Sequence, residues 1–123
     1  MTPAVTLNGK KVLIVEDNFL IAQDLGDVMR GAGCWVCGVV PSSAAALRHL
    51  REERPDGVLL DVGLADSDAS PVAQALASRG VPFLLVTACE PDDLPPALRG
   101  RPCLAKPFSA ATLVAMASRA FAN

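Results

Sequence analysis

Residues 11–18 read Lys-Val-Leu-Ile-Val-Glu-Asp-Asn: four apolar residues, Val12 to Val15, run without a break into two carboxylates, Glu16 and Asp17. A strand with one wet face alternates apolar and polar residues. An uninterrupted apolar run of this length instead suits a strand covered on both faces, as in a parallel sheet. The signature returns at Val58-Leu59-Leu60, which ends on Asp61, and at Phe83-Leu84-Leu85-Val86, which ends on Thr87. Trp35 to Val40 is a weaker strand candidate, and Cys103-Leu104-Ala105, leading into Lys106, a very short one.

Amphipathic segments separate these runs. Ile21, Leu25, Val28, Met29 and Ala32 recur at helical spacing, with Gly33 as a stop. Ser42 or Ser43 is placed to cap a second helix through about Glu53, with Leu47 and Leu50 inward and Arg48, His49, Arg51 and Glu52 facing water. Ser70 followed by Pro71 is a cap-plus-first-turn signal for a third helix ending near Gly80. Ser109 is placed to cap a last one carrying Leu113, Val114, Ala117 and Phe121 on one side. Between the fourth and fifth strands, three prolines in Glu90–Gly100 oppose a regular helix, so a short, distorted or mobile fourth helix is expected. Strands alternating with helices predict a doubly wound α/β domain with a five-stranded parallel sheet, and the size favours the flavodoxin-like strand order 2-1-3-4-5. Residues 1–10 read as a tail and 11–123 as one domain.

Composition narrows the function. At 51% hydrophobic and 20% charged residues in 123, the chain can bury a core and is not disordered. A net charge of −2 without a Lys/Arg cluster argues against direct nucleic-acid binding. No apolar run is long enough for a membrane span or a secretory signal, which favours a cytoplasmic location. Cys34 and Cys37 form a close pair, but three positions along a strand point to opposite faces, and a zinc site would need ligands beyond the single histidine, His49. Packing cysteines in a reducing compartment are the favoured reading.

The polar strand ends carry the chemistry. Glu16, Asp17, Asp61, Thr87 and Lys106 each sit at or just after the carboxyl end of a strand, where such sheets place ligands. Three carboxylates at one rim repel one another unless a cation intervenes, and Mg²⁺ favours oxygen donors. Asp61 is then a carboxylate nucleophile towards a phosphoryl donor, with Lys106 and the Thr87 hydroxyl on phosphate oxygens. Each residue taken singly also has a plainer reading: Asp17 or Asn18 as a helix cap, Asp61 as an ordinary strand end, Thr87 as a turn residue, Lys106 as a solvated charge. Their joint placement favours the site.

The segments V-L-I-V-E-D-N, G-V-L-L-D-V, L-L-V-T-A and L-A-K-P-F resemble those of response-regulator receiver domains over nearly the whole chain, from about Lys11 to Phe121. That resemblance implies that Glu16, Asp17, Asp61 and the main-chain carbonyl of Gly63 hold Mg²⁺. It also implies that Asp61 is phosphorylated by a histidine kinase or phosphotransfer protein, that Thr87 and Lys106 contact the phosphoryl group, and that the Lys106–Pro107 bond is cis. Such a module is no enzyme towards other substrates; it catalyses only its own phosphorylation and dephosphorylation, and signals by conformational change to a partner protein.

The sequence also departs from the family. Cys103 stands where the family usually has the Tyr or Phe that couples, with the Thr87 position, phosphorylation to output. The common Met-Pro after the phosphorylated Asp is missing, and Asp66 and Asp68 read as a solvated acidic loop. Cys103 and the proline-rich segment fall on the surface many receivers use to dimerise, so a monomer or weak dimer is expected. Two other functions remain open: a phosphorylation-independent docking module on the same fold, and a receiver fragment of a larger regulator or hybrid kinase. A flavin-binding or hydrolytic enzyme fits poorly, because Glu16-Asp17-Asn18 repels an unaccompanied phosphate and His49 is expected away from the rim.

Overall fold

The computed structural model describes residues 7–64, 68–88 and 93–122. Five strands, β1 (Lys11–Val15), β2 (Trp35–Val40), β3 (Gly57–Asp61), β4 (Phe83–Thr87) and β5 (Cys103–Ala105), form one sheet in the order β2-β1-β3-β4-β5, every pairing parallel. Among the described residues four α-helices flank it: α1 (Phe19–Gly31), α2 (Ser43–Glu52), α3 (Ser70–Ser78) and α4 (Ala110–Ala120). The flavodoxin-like order expected from the alternation of strands and helices and the size of the chain is the observed one.

Alternation along the strands explains why the runs are apolar throughout. Val12 and Ile14 of β1 point into one core with Leu59, Leu84 and Val86, against Leu25 and Met29 of α1 and Leu113 and Ala117 of α4. Leu13 and Val15 point the other way, into a core with Val58, Leu60 and Leu85, against Ala46 and Leu50 of α2 and Val72 and Leu76 of α3. Both faces of the sheet are therefore dry. Leu7 is fully buried, and its carbonyl accepts from Cys34 Sγ at 3.4 Å, so the core includes a residue four positions ahead of β1. No helix among the described residues is long and apolar enough to cross a membrane.

The caps follow the sequence with one exception. Asn18 Oδ1 accepts from the N–H groups of Leu20 and Ile21 at 3.0 and 3.1 Å, Ser42 caps α2 through Ala45 N–H at 3.1 Å, and Ser109 caps α4 through Thr112 N–H at 3.1 Å. Ser70 is not a cap. It lies inside α3, and its own N–H donates to Asp68 Oδ1 at 2.9 Å. Asp68 is exposed in the loop before α3, as expected of a solvated residue, and its carboxylate also ties the helix start; Asp66 lies outside the described residues.

Two further expectations resolve at the sheet edges. Between β4 and β5 the described residues form no α-helix and include a 3-10 turn, Pro96–Leu98, in keeping with the prolines. His49, by contrast, does not face water. Its side chain is 20% exposed and lies against β2, because Gly38 has no side chain there; a Cβ on Gly38 would come within 2.8 Å of His49 Cε1. Cys34 and Cys37 do turn to opposite cores, as their spacing along a strand predicts.

Candidate functional site

The sheet brings the polar strand ends together by backbone hydrogen bonds at its carboxyl edge. Glu16 N–H donates to Val40 O at 3.0 Å, Val62 N–H to Val86 O at 3.1 Å and Lys106 N–H to Thr87 O at 2.8 Å. These bonds extend each ladder one residue beyond its last paired strand residue. Glu16, Asp61 and Thr87 are buried, at 3%, 3% and 1% exposure, while Asp17 is exposed. One carboxylate therefore faces solvent beside two withdrawn from it.

Lys106 compensates the buried pair. Its Nζ lies 3.1 Å from Glu16 Oε1 and 3.3 Å from Asp61 Oδ1. Two backbone amides add to this: Asn18 N–H donates to Glu16 Oε2 at 3.1 Å, and Gly63 N–H to the same Asp61 Oδ1 at 3.1 Å. Burial lifts the Glu16 carboxyl above its ordinary value, and the neighbouring Asp61 adds to the rise against the pull of the Asn18 amide and Lys106. For Lys106, burial alone favours the neutral amine, but the charges of Asp61 and Glu16 prevail and raise its pKa. The ammonium is thus firmly protonated at neutral pH.

Glu16, Asp17 and Asp61 each bring a carboxylate oxygen within 4.8 Å of the others. An all-oxygen set of this size, with one member open to solvent, fits a hard divalent cation that retains several waters. Gly63 is exposed just beyond β3, beside Asp61. Thr87 closes β4, and the Lys106–Pro107 peptide bond is cis. Cys103 pairs with Leu85 in the β4–β5 register and packs half-buried against the core that also holds Leu94 and Leu98. Every residue singled out at the rim from the sequence is at the rim; Cys103 alone lies inward of it, at the start of its strand. The bridging of two carboxylates by Lys106 had no signal in the sequence, where the three residues are merely far apart.

A model of the response regulator receiver domain matches residues 12–118. The chain is similar to the transcriptional regulatory protein PdtaR of Mycobacterium tuberculosis, 31% identical over 109 residues that cover 85% of this chain and 53% of that protein. The crystal structure of the response regulator PhyR from Brucella abortus is similar at a TM-score of 0.80 and 31% identity, over 92% of this chain and 48% of that one. The receiver domain of the sensor histidine kinase PA1611 from Pseudomonas aeruginosa, solved with a magnesium ion coordinated in its active site cleft, is similar at a TM-score of 0.75 and 27% identity, over 92% and 98%. The chain spans about half the length of PdtaR.

Proposed function

The chain belongs to the response regulator receiver domain family, and from that premise we propose that it is a phosphoacceptor whose Asp61 takes a phosphoryl group from a histidine kinase or phosphotransfer protein. The observation that carries this reading is the pairing of a buried Asp61 with Lys106 at 3.3 Å, beside two further carboxylates at the open edge of the sheet.

In the proposed step a carboxylate oxygen of Asp61 attacks phosphorus, the bond to the donor imidazole breaks, and an acyl phosphate remains on Asp61. Glu16, Asp17, Asp61 and the Gly63 carbonyl are the residues to hold Mg²⁺, a cation that neutralises charge on a transferring phosphoryl group. Lys106 already lies against the acceptor oxygen and needs only to shift its ammonium to a phosphoryl oxygen. The Thr87 hydroxyl, at the end of the adjacent strand, is placed to donate to another. The chain acts only on its own phosphorylation and dephosphorylation. Its output is a change at the β4–β5 side, involving Thr87 and Cys103, that a partner protein in the cytoplasm reads without direct nucleic-acid or membrane contact.

The test is incubation with acetyl phosphate and Mg²⁺ followed by intact-mass measurement. The wild type gains one phosphoryl group and Asp61→Asn gains none. A wild type that gains nothing favours a phosphorylation-independent docking module, and an undiminished gain in Asp61→Asn places the acceptor elsewhere. Asp17→Asn weakens Mg²⁺ binding in a metal titration; unchanged affinity removes Asp17 from the cation site.

A further inference from the structure

We propose that Cys37, His49 and Glu53 form a second metal site at the β2–α2 edge, one that takes a borderline transition ion such as Zn²⁺ rather than Mg²⁺. Among the described residues these three and the carboxylate rim are the two groups whose ligand atoms lie within 4.8 Å of one another. Cys37 Sγ is 3.7 Å from His49 Nε2, and that nitrogen is 3.3 Å from Glu53 Oε1. Sulfur, nitrogen and oxygen ligands in a tetrahedral zinc shell stand about 3.3 to 3.6 Å apart, given zinc–ligand bonds of about 2.0 to 2.3 Å. The side chains thus need little movement to enclose an ion.

The backbone is shaped to bring the three together. The β1–β2 ladder pairs Val12 with Val36 and Leu13 with Gly38, so Cys37 is the extra residue of a bulge. A bulge re-aims the side chain it carries. Gly38 clears the space into which the imidazole fits: a Cβ there would meet His49 Cε1 at 2.8 Å and Nδ1 at 3.2 Å. His49 and Glu53 are four residues apart at the end of α2, with the Glu53 N–H donating to the His49 carbonyl at 3.0 Å, and so share one side of the helix. The second Glu53 oxygen is 3.6 Å from Lys11 Nζ, which leaves Oε1 for the ion.

The donor set decides the kind of metal. One thiolate, one imidazole and one carboxylate suit zinc and its neighbours, whereas Mg²⁺ has no preference for sulfur or imidazole and stays with the oxygen rim. Burial, reinforced by Glu53, pushes the Cys37 thiol up to about 11, so without metal it is protonated at neutral pH and a poor nucleophile. Metal binding releases that proton to solvent. A redox pair with Cys34 is not available, because Cys34 lies in the opposite core and donates to Leu7 O. Three protein ligands leave a fourth position for water. An ion held there ties β2 to α2 and stabilises the folded chain by mass action.

The test is a Co²⁺ titration of the full chain under reducing conditions with excess Mg²⁺ to fill the carboxylate rim. One Co²⁺ per chain is expected, with a thiolate-to-cobalt charge-transfer band and the visible bands of a tetrahedral ion, all bleached by Zn²⁺. Zn²⁺ is also expected to raise the melting temperature. Cys37→Ser and His49→Gln each lose the band or weaken Co²⁺ about ten-fold or more, while phosphorylation of Asp61 and the metal-free melting temperature persist. No thiolate band in the wild type overturns the proposal, as does a band of full strength and affinity in either variant. If Cys37→Ser does not fold, His49→Gln and Glu53→Gln give the same reading.

Discussion

Lys106 Nζ lies 3.1 Å from Glu16 Oε1, across ninety residues of sequence, and holds in the same grip the Asp61 oxygen 3.3 Å away. One ammonium therefore offsets two buried carboxylates, and the acidic rim is already partly neutralised by the chain itself. The arrangement places a cost on removing Lys106 that does not depend on phosphorylation.

Lys106→Ala leaves Glu16 and Asp61 buried without a cation. A buried pair broken in this way costs about 3–5 kcal/mol; because the Lys106 side chain is 18% exposed, about 1–3 kcal/mol is expected here. Mg²⁺ should then raise the melting temperature of the variant more than that of the wild type, since the ion replaces the missing charge. Thermal melts in chelator and in Mg²⁺ measure both effects, and an equal Mg²⁺ response would contradict the compensating role. Phosphorylation by acetyl phosphate should also slow.

Glu16 sets a pH dependence in the metal-free protein. Burial lifts its folded-state pKa above the ordinary 4.5, so the folded chain holds that proton more tightly than the unfolded chain. Its contribution to stability is full below pH 4.5 and is lost as pH rises through the raised value. Glu16→Gln abolishes this titration. Melting temperatures taken in chelator across this window should fall with pH less steeply in the variant; parallel curves would show that Glu16 is not the group responsible.

Gly57→Ala tests how firmly α4 closes on the sheet. A Cβ on Gly57 would stand 2.6 Å from Cγ and Cδ2 of the fully buried Phe121 ring. Overpacking of this kind costs about 1–3 kcal/mol. Urea denaturation should show a lower midpoint at unchanged slope, with part of the loss recovered in Gly57→Ala/Phe121→Leu. An unchanged midpoint would mean that the end of α4 yields freely.

Beryllofluoride, a phosphoryl mimic, should leave the chain monomeric in light scattering. Among the described residues between β4 and β5 there is a 3-10 turn, Pro96–Leu98, and no α-helix to offer a dimer face, and Cys103 supplies no aromatic ring to swing outward. A clean monomer-to-dimer shift would sink this expectation.

The sequence was most legible where side-chain period and burial agree. Val12 to Val15, Val58 to Leu60 and Phe83 to Val86 are dry on both faces, so their apolar runs gave strand positions and sheet class, while the strand order followed from the size of the chain and the handedness of its crossovers. The rim followed at once, because a residue that ends a parallel strand is at the same edge as every other strand end. Ser70 misled because Ser-Pro marks the start of a helix without fixing which residue caps it; the cap position is Ala69, which has no capping side chain, and Asp68 before it accepts from the Ser70 N–H. His49 misled because helical spacing gives the direction of a side chain but not what lies opposite. Here a glycine on β2 makes room for the ring.

What the sequence determined alone was the parallel sheet, the two cores and the convergence of Glu16, Asp17, Asp61, Thr87 and Lys106, all consequences of local period and strand polarity. What only the tertiary structure decided was which polar groups touch: Lys106 between Glu16 and Asp61, and Cys37 beside His49 and Glu53. Such contacts depend on displacements of a few ångströms, set by a bulge, an absent Cβ and the seating of a helix on a sheet. Those are properties of packed elements, and no local pattern of residues encodes them.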